Sequence, residues 1–325
     1  MKYPVEHKFA KQWWISLSEA CNWKCWYCDF PMKKDIKTVD ADYLKWFLNI
    51  LKPVIKDKNI EICVEGGEIG LVDPHILDIF FNSDLDKSYT VTTNGLFMKQ
   101  DYHNRYKDHI HYILYHVVSD VTDPNVVFEK YKDTDPSIKI DYTIVIHKRN
   151  IKYLDEFFDN NKDCIFLPHL MQPRRLGLDF LSIEEFEQIY DILKDKENVY
   201  DHFKNRILNI IQHLKEEQSD PTKLKKMRDF CANVYHKPIF DLPNKLIKRC
   251  CITIDNCNAA DITEENLYKL VNNDVSLFPK TDPICDNCIA NFLWRHNPKW
   301  MLKYNRDELM NITRSLRRNN YHEVL

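Results

Sequence analysis

An α/β fold, with parallel strands curled into a partial (β/α)6 TIM-like barrel and a small cysteine-rich metal-binding module behind it, is what this sequence predicts. Three observations carry that expectation. Six short apolar runs alternate with helix-periodic segments over the first half of the chain. Three of only five glycines (Gly66, Gly67 and Gly70) fall within five residues at the end of one such run. Six of the eleven cysteines, Cys231 to Cys288, crowd into 58 residues of mostly loop-like sequence.

The strands are expected at 13–17, 60–64, 89–93, 111–118, 138–146 and 164–170. Between them lie segments with apolar residues at helical spacing. The segment 40–56 puts Leu44, Phe47, Leu48, Leu51 and Ile55 on one face. The segment 73–82 has Pro74 where a first helical turn accepts it, and 151–160 turns Leu154, Phe157 and Phe158 inward. Strand–helix alternation of this kind gives right-handed parallel units that curl into a whole or partial barrel. Cys63 and Cys164 fall inside predicted strands and read as small buried hydrophobes.

After residue 170 the pattern changes. Ser182 and Glu185 have the spacing of a capping box, opening a helix with Phe186, Ile189, Tyr190 and Leu193 inward. A second helix at about 201–217 carries Phe203, Ile207, Ile210, Ile211 and Leu214. The expected organisation is a barrel at 1–180, a helical connection at 181–230 and a metal-stapled module at 231–325, closed by a helix near 306–318.

At 325 residues the chain can bury a sizeable core, and a formal charge of −3 points to no polyanionic partner for the whole. No apolar run approaches the ~20 residues a membrane helix needs. Residues 1–11 are polar and charged, without the apolar stretch of a signal peptide, so the expected location is a reducing cytoplasm. Disulfides are rare there, and clustered cysteines more often hold metal.

The first cluster is Cys21-Asn22-Trp23-Lys24-Cys25-Trp26-Tyr27-Cys28, in the loop between the first strand and the first helix. Three thiolates can hold three corners of an iron–sulfur cubane and leave the fourth iron open to a substrate or cofactor. A structural zinc site is the competing assignment, but it wants a fourth ligand, and none is near in sequence.

This loop resembles the radical SAM superfamily, with Tyr27 as the aromatic before the third cysteine. Further segments match in order. Glu65-Gly66-Gly67-Glu68 resembles the superfamily's glycine-glycine-glutamate segment, whose backbone hydrogen-bonds the amino group of S-adenosylmethionine (SAM). Thr92-Thr93-Asn94-Gly95 resembles its third strand end, and Ser119 stands where the SAM ribose is often contacted. Ile69 departs from the proline many members carry. The resemblance implies a [4Fe–4S] cluster on Cys21, Cys25 and Cys28, and SAM bound near Tyr27, Gly66, Gly67, Glu68, Asn94 and Ser119. Flavodoxin or ferredoxin is the implied electron donor.

Cys285-Asp286-Asn287-Cys288 is a two-residue hook that can grip one metal. With Cys231 and either Cys250 or Cys251 it completes four thiolates, a set for a second [4Fe–4S] cluster or for zinc. Cys250 is preferred on spacing, and Cys257 is spare or a substitute. The layout resembles the twitch module, the short form of the SPASM extension. The segment 240–250 resembles its hairpin strand, with Asn244 where glycine is usual, and 258–270 resembles the stretch between hairpin and hook.

The resemblance implies reductive cleavage of SAM to a 5′-deoxyadenosyl radical that abstracts a hydrogen atom. The expected substrate is a peptide or protein, although only twenty residues precede Cys21 to serve as a recognition domain. Dehydrogenation of a small metabolite such as an aminocyclitol or sugar is the alternative. A zinc-stabilised nucleic-acid-binding protein, using basic residues from Lys223 to Arg249, is the reading of another class; it leaves Gly66-Gly67 unexplained. No catalytic residue is singled out. His116, Asp120, His147, Arg149, His169, Arg174 and Arg175 are candidates for substrate contact at or near late strand ends.

Overall fold

The computed structural model describes residues 11–28, 35–85, 87–131, 134–170, 181–219, 238–248, 259–272 and 277. Its centre is a parallel sheet. Strands β1 (Lys11–Ser16), β2 (Ile60–Glu65), β3 (Tyr89–Thr93), β4 (Ile110–His116) and β5 (Lys139–Thr143) lie side by side in chain order. Helices α1 (Ala41–Ile55) and α2 (Pro74–Phe81) form the first two crossovers. Each starts where the sequence supplies a cap. The Asp40 carboxylate accepts from the N–H groups of Asp42 and Tyr43, and Asp73 caps α2 just before Pro74. The predicted apolar face of α1 is wholly buried, against a sheet face that includes Trp13, Ile15, Ile62, Val64, Val91 and Ile113. The third crossover holds only two short helices, α3 (Leu96–Lys99) and α4 (Tyr102–Arg105).

The fifth and sixth predicted strands need correction. The connection from β4 to β5 has no helix among its described residues. Asp123, Pro124, Asp135 and Pro136 punctuate it with turns. Phe128 takes the place of a helix face, packing on Tyr115, Tyr142, Phe157 and Phe166. The single strand expected at 138–146 is two pieces. β5 pairs with β4 up to Thr143, and β6 (Val145–Ile146) pairs instead with β7 (His169–Leu170). The chain changes neighbours at Ile144, whose carbonyl accepts from His169 N–H at 2.8 Å. The sixth expected strand is regular only over β7. Before it, Leu167 N–H donates to Tyr142 O, and Phe166 bridges both Tyr142 and Val199. The sixth position of the barrel is thus filled, with a shorter ladder than the apolar run suggested.

Helices α5 (Ile151–Asn160), α6 (Ile183–Leu193) and α7 (Asp201–Ser219) follow. Both halves of the Ser182–Glu185 capping box are formed. α6 packs on α5 and α7, burying Phe186, Ile189, Leu193, Phe203, Ile207 and Ile210. Cys63, within β2, and Cys164, after α5, are both buried.

The sheet also grows at its other edge. β8 (Ile239–Asp241) pairs parallel to β1, with β9 (Leu246–Lys248) and β10 (Ala259–Asp261) antiparallel beyond it. Phe240 packs between Trp13 and Phe47 in tilted contacts, centroids 5.3 and 5.6 Å away. α8 (Glu264–Val271) packs on α1, and Lys11 Nζ donates to Val271 O at 2.9 Å. No helix among the described residues is long and apolar enough to cross a membrane.

Candidate active site

The loops at the carboxyl ends of β1, β2, β3 and β4 are tied to one another, where parallel sheets gather ligands. The loop after β1 carries Cys21, Cys25 and Cys28, all half-buried. Cys28 N–H donates to Cys25 O at 3.1 Å, closing a turn around the last two. The Cys21 sulfur accepts from Trp23 N–H at 3.4 Å, and Asn94 Nδ2 lies 3.9 Å from it. Among the described residues no three His, Cys, Asp or Glu side chains converge on one point as a single ion would demand. A cluster asks for less convergence, because each thiolate binds a separate iron.

Gly66 and Gly67 place the second loop against the first. Gly67 N–H donates to Ser18 O at 2.9 Å and Glu68 N–H to Ala20 O at 2.6 Å. Gly66 has φ of 146°, and a Cβ there would stand 2.5 Å from Ser18 O; one on Gly67 would stand 2.0 Å from Ala20 O. No side chain fits either position without moving the cysteine loop. The N–H groups of Gly67 and Glu68 are thus spent on the cysteine loop.

Glu68 is turned inward, 2 % exposed. Its carboxylate accepts from Gly70 N–H, Thr93 Oγ1, Asn94 N–H and Phe97 N–H at 2.8, 2.6, 2.6 and 3.2 Å. Burial pushes its acid up, against the downward pull of those hydrogen bonds. The side chain therefore fixes the path of the β3 end, including Asn94, whose Nδ2 donates to Asn22 Oδ1 at 2.7 Å.

The fourth strand end is held by two consecutive aromatics. Tyr27 OH donates to Ser119 O at 2.7 Å, and Trp26 Nε1 donates to Asp120 Oδ2 at 3.0 Å. Asp120 Oδ1 lies 2.7 Å from Nε2 of the fully buried His147, while His147 Nδ1 accepts from Arg149 N–H at 3.2 Å. With Nδ1 accepting, the Nε2 edge is the one turned to donate to Asp120. Asp120, although burial favours its neutral form, is held below the usual aspartate range by His147, Trp26 and the Arg149 charge. The Arg149 guanidinium caps the Trp26 ring at 4.0 Å. Asp120, His147 and Arg149, all read from sequence as candidates for substrate contact, thus meet around Trp26, which spacing alone did not single out. His116 and His169 approach each other with ring centroids 5.7 Å apart. Arg174, Arg175, Cys231, Cys250, Cys251, Cys257, Cys285 and Cys288 lie outside the described residues.

The fold is shared with solved structures that hold S-adenosylmethionine. Histidine-tagged anSMEcpe with bound AdoMet is 10 % identical over 96 % of this chain and 100 % of that one, with a TM-score of 0.55. Native anSMEcpe with bound AdoMet and the Cp18Cys peptide is 10 % identical over 94 % and 99 %, with a TM-score of 0.52. SuiB of Streptococcus suis bound to S-adenosylmethionine is 12 % identical over 92 % and 73 %, also at 0.52. No protein-family model matches the sequence, and no curated protein matches it. At these identities the likeness is one of fold, and it is the partial barrel that the radical SAM resemblance implies.

Proposed function

We propose that this protein is a radical SAM enzyme, with a [4Fe–4S] cluster on Cys21, Cys25 and Cys28, that modifies a peptide or protein. One observation carries the reading. Three thiols on one loop are locked by the Gly66–Gly67 turn at the strand ends of a fold shared with AdoMet-bound structures.

The residues fit the group. Burial pushes the Cys25 thiol up to about 11 and raises Cys21 as well, so without a metal both stay protonated. A bound metal reverses that logic, since a coordinating thiol is deprotonated outright. The Trp23 N–H at Cys21 suits a ligating sulfur. With cluster and SAM bound, one electron from flavodoxin or ferredoxin would break the sulfonium S–C5′ bond, releasing methionine and a 5′-deoxyadenosyl radical able to take a hydrogen atom from the substrate.

The chain's own residues orient and enclose. The Gly66–Gly67 carbonyls can accept from the SAM ammonium, and Asn94, held to Asn22, borders the same space. Tyr27 and Ser119, bonded to each other, set the backbone that would face the nucleoside. Trp26 under Arg149 closes that side against water. His116 and His169 are the proposed substrate contacts within the barrel. We assign Cys231, Cys250, Cys285 and Cys288 to an auxiliary [4Fe–4S] cluster of a twitch-like module. A peptide substrate is favoured because one structure of the same fold holds a peptide beside AdoMet.

The test is iron and sulfide per chain after anaerobic reconstitution, with 5′-deoxyadenosine formation from SAM under dithionite. We expect about eight irons in wild type and about four in the Cys21→Ala/Cys25→Ala/Cys28→Ala variant, which should make no 5′-deoxyadenosine. Four and none, with zinc at the C-terminal cysteines, would overturn the auxiliary cluster alone. No iron in either protein would overturn the proposal.

A further inference from the structure

The loop that carries the three cysteines leaves the sheet at Glu19 and returns at Lys37. Its neck is closed by two bonds between these residues. Glu19 N–H donates to Lys37 O at 2.9 Å, and Lys37 N–H donates to Glu19 Oε2 at 3.3 Å. Just beneath, Ser18 bridges Thr38, and Val39 N–H donates to Leu17 O at 2.9 Å. Glu19 is buried, so its remaining oxygen must find a donor away from bulk water.

That donor arrives from far along the chain. At the tip of the β8–β9 hairpin, Asn244 Nδ2 donates to Glu19 Oε1 at 2.8 Å and to both oxygens of the buried Asp241 at 3.0 Å. Asn244 Oδ1 accepts from Lys37 Nζ at 3.1 Å. One amide therefore touches both sides of the neck. Lys248 Nζ, 2.5 Å from Asp241, balances charge on the hairpin side.

The residue type follows from this geometry. Two buried carboxylates converge on one point, and an uncharged group offering two N–H donors satisfies both. Aspartate would bring another negative charge to the contact, and glycine would remove the amide that Glu19 and Asp241 share. The left-handed backbone position of the turn falls on Lys245, with φ of 60°, which leaves Asn244 free of that demand.

We infer that Asn244 is a positioning residue for the cysteine loop, a clasp by which the hairpin holds the neck shut behind the three ligands. The clasp rests on geometry alone; its consequence for the cluster rests on the function proposed above. Two readouts separate them, both on the full chain. Amide hydrogen exchange on metal-free protein reads the neck directly. Asn244→Ala should speed exchange at Glu19, Lys37 and Val39 about tenfold, with Ile62 and Val91 in the sheet unchanged. Iron release to a chelator from reconstituted protein should also be about tenfold faster, and faster still in Asn244→Asp. Adding Glu19→Gln to Asn244→Asp swaps donor for acceptor across the same contact and should recover part of the loss in both assays. Neck amides exchanging at the wild-type rate in Asn244→Ala would overturn the clasp. Faster exchange with unchanged iron release would overturn the positioning role. A wild type that takes up no iron would defeat the functional reading while leaving the exchange result to judge the clasp.

Discussion

Two glutamates lie buried at opposite ends of the barrel, and they are held in different ways. Glu61, at the amino end, accepts from Gln12 Nε2 at 2.7 Å and from Thr90 Oγ1, and pairs with His111 Nε2 at 3.3 Å. Beside it Asp141 accepts from the hydroxyls of Tyr112 and Tyr200, each at 2.7 Å, with Lys139 at 3.3 Å. Nearly all these partners are side chains on strands, so the floor is a brace between elements already fixed by the sheet. Glu68, at the carboxyl end, is gripped mainly by backbone N–H groups of Gly70, Asn94 and Phe97. Those backbone donors lie outside the sheet ladder, so the carboxylate decides where that backbone runs. One end of the barrel uses buried charge to hold strands, and the other uses it to shape loops.

The loop-shaping end breaks hardest at Gly67. Gly67→Ala forces a Cβ to 2.0 Å from Ala20 O, and the cysteine loop must move. Iron uptake should be lost while far-UV circular dichroism of the barrel persists; normal uptake would mean the turn does not set the loop. Next comes Glu68→Ala, which strands three backbone donors and should cost about 3 kcal/mol or more. Calorimetry should show a fall in Tm of about 6 °C or more.

The two glutamates should also differ in the sign of their pH dependence. Burial alone would raise Glu61, but hydrogen bonds from His111, Thr90 and Gln12 outweigh it and hold the acid below the usual glutamate range. Its folded value lies under its unfolded one, so its stabilisation is present above the ordinary glutamate range and fades as pH falls through the folded value. Glu68 is raised, so its contribution is full at acid pH and fades as pH rises through its folded value. Denaturant titrations of Glu61→Gln and Glu68→Gln should diverge from wild type in opposite directions between about pH 3 and pH 7. Parallel curves would erase the distinction.

The smallest effect is expected at the rim contact around Trp26. Asp120→Asn has one acceptor oxygen for two N–H donors, Trp26 Nε1 and His147 Nε2. It should cost about 1 kcal/mol. Trp26 fluorescence, isolated by difference against Trp26→Phe, should shift to the red as the ring loosens under Arg149.

The spacing of apolar residues on α1, α5 and α6, the first-turn Pro74, the capping box at Ser182, and the buried Cys63 and Cys164 were legible from the chain alone. So were the cysteine triplet and the glycine pair at the next strand end. These signals are local, because a helix face, a cap or a tight turn is decided within a few residues. The structure alone decided where the fifth strand changes neighbours, since an apolar run does not say which edge it meets at Ile144. It alone joined Trp26 to Asp120, 94 residues later, and Asn244 to Glu19 across 225. Asn244 did stand out in the sequence, as a departure from glycine, but nothing nearby explained it. Contacts between distant side chains depend on how whole elements pack, and only the folded sheet brings the hairpin tip to the neck of the cysteine loop.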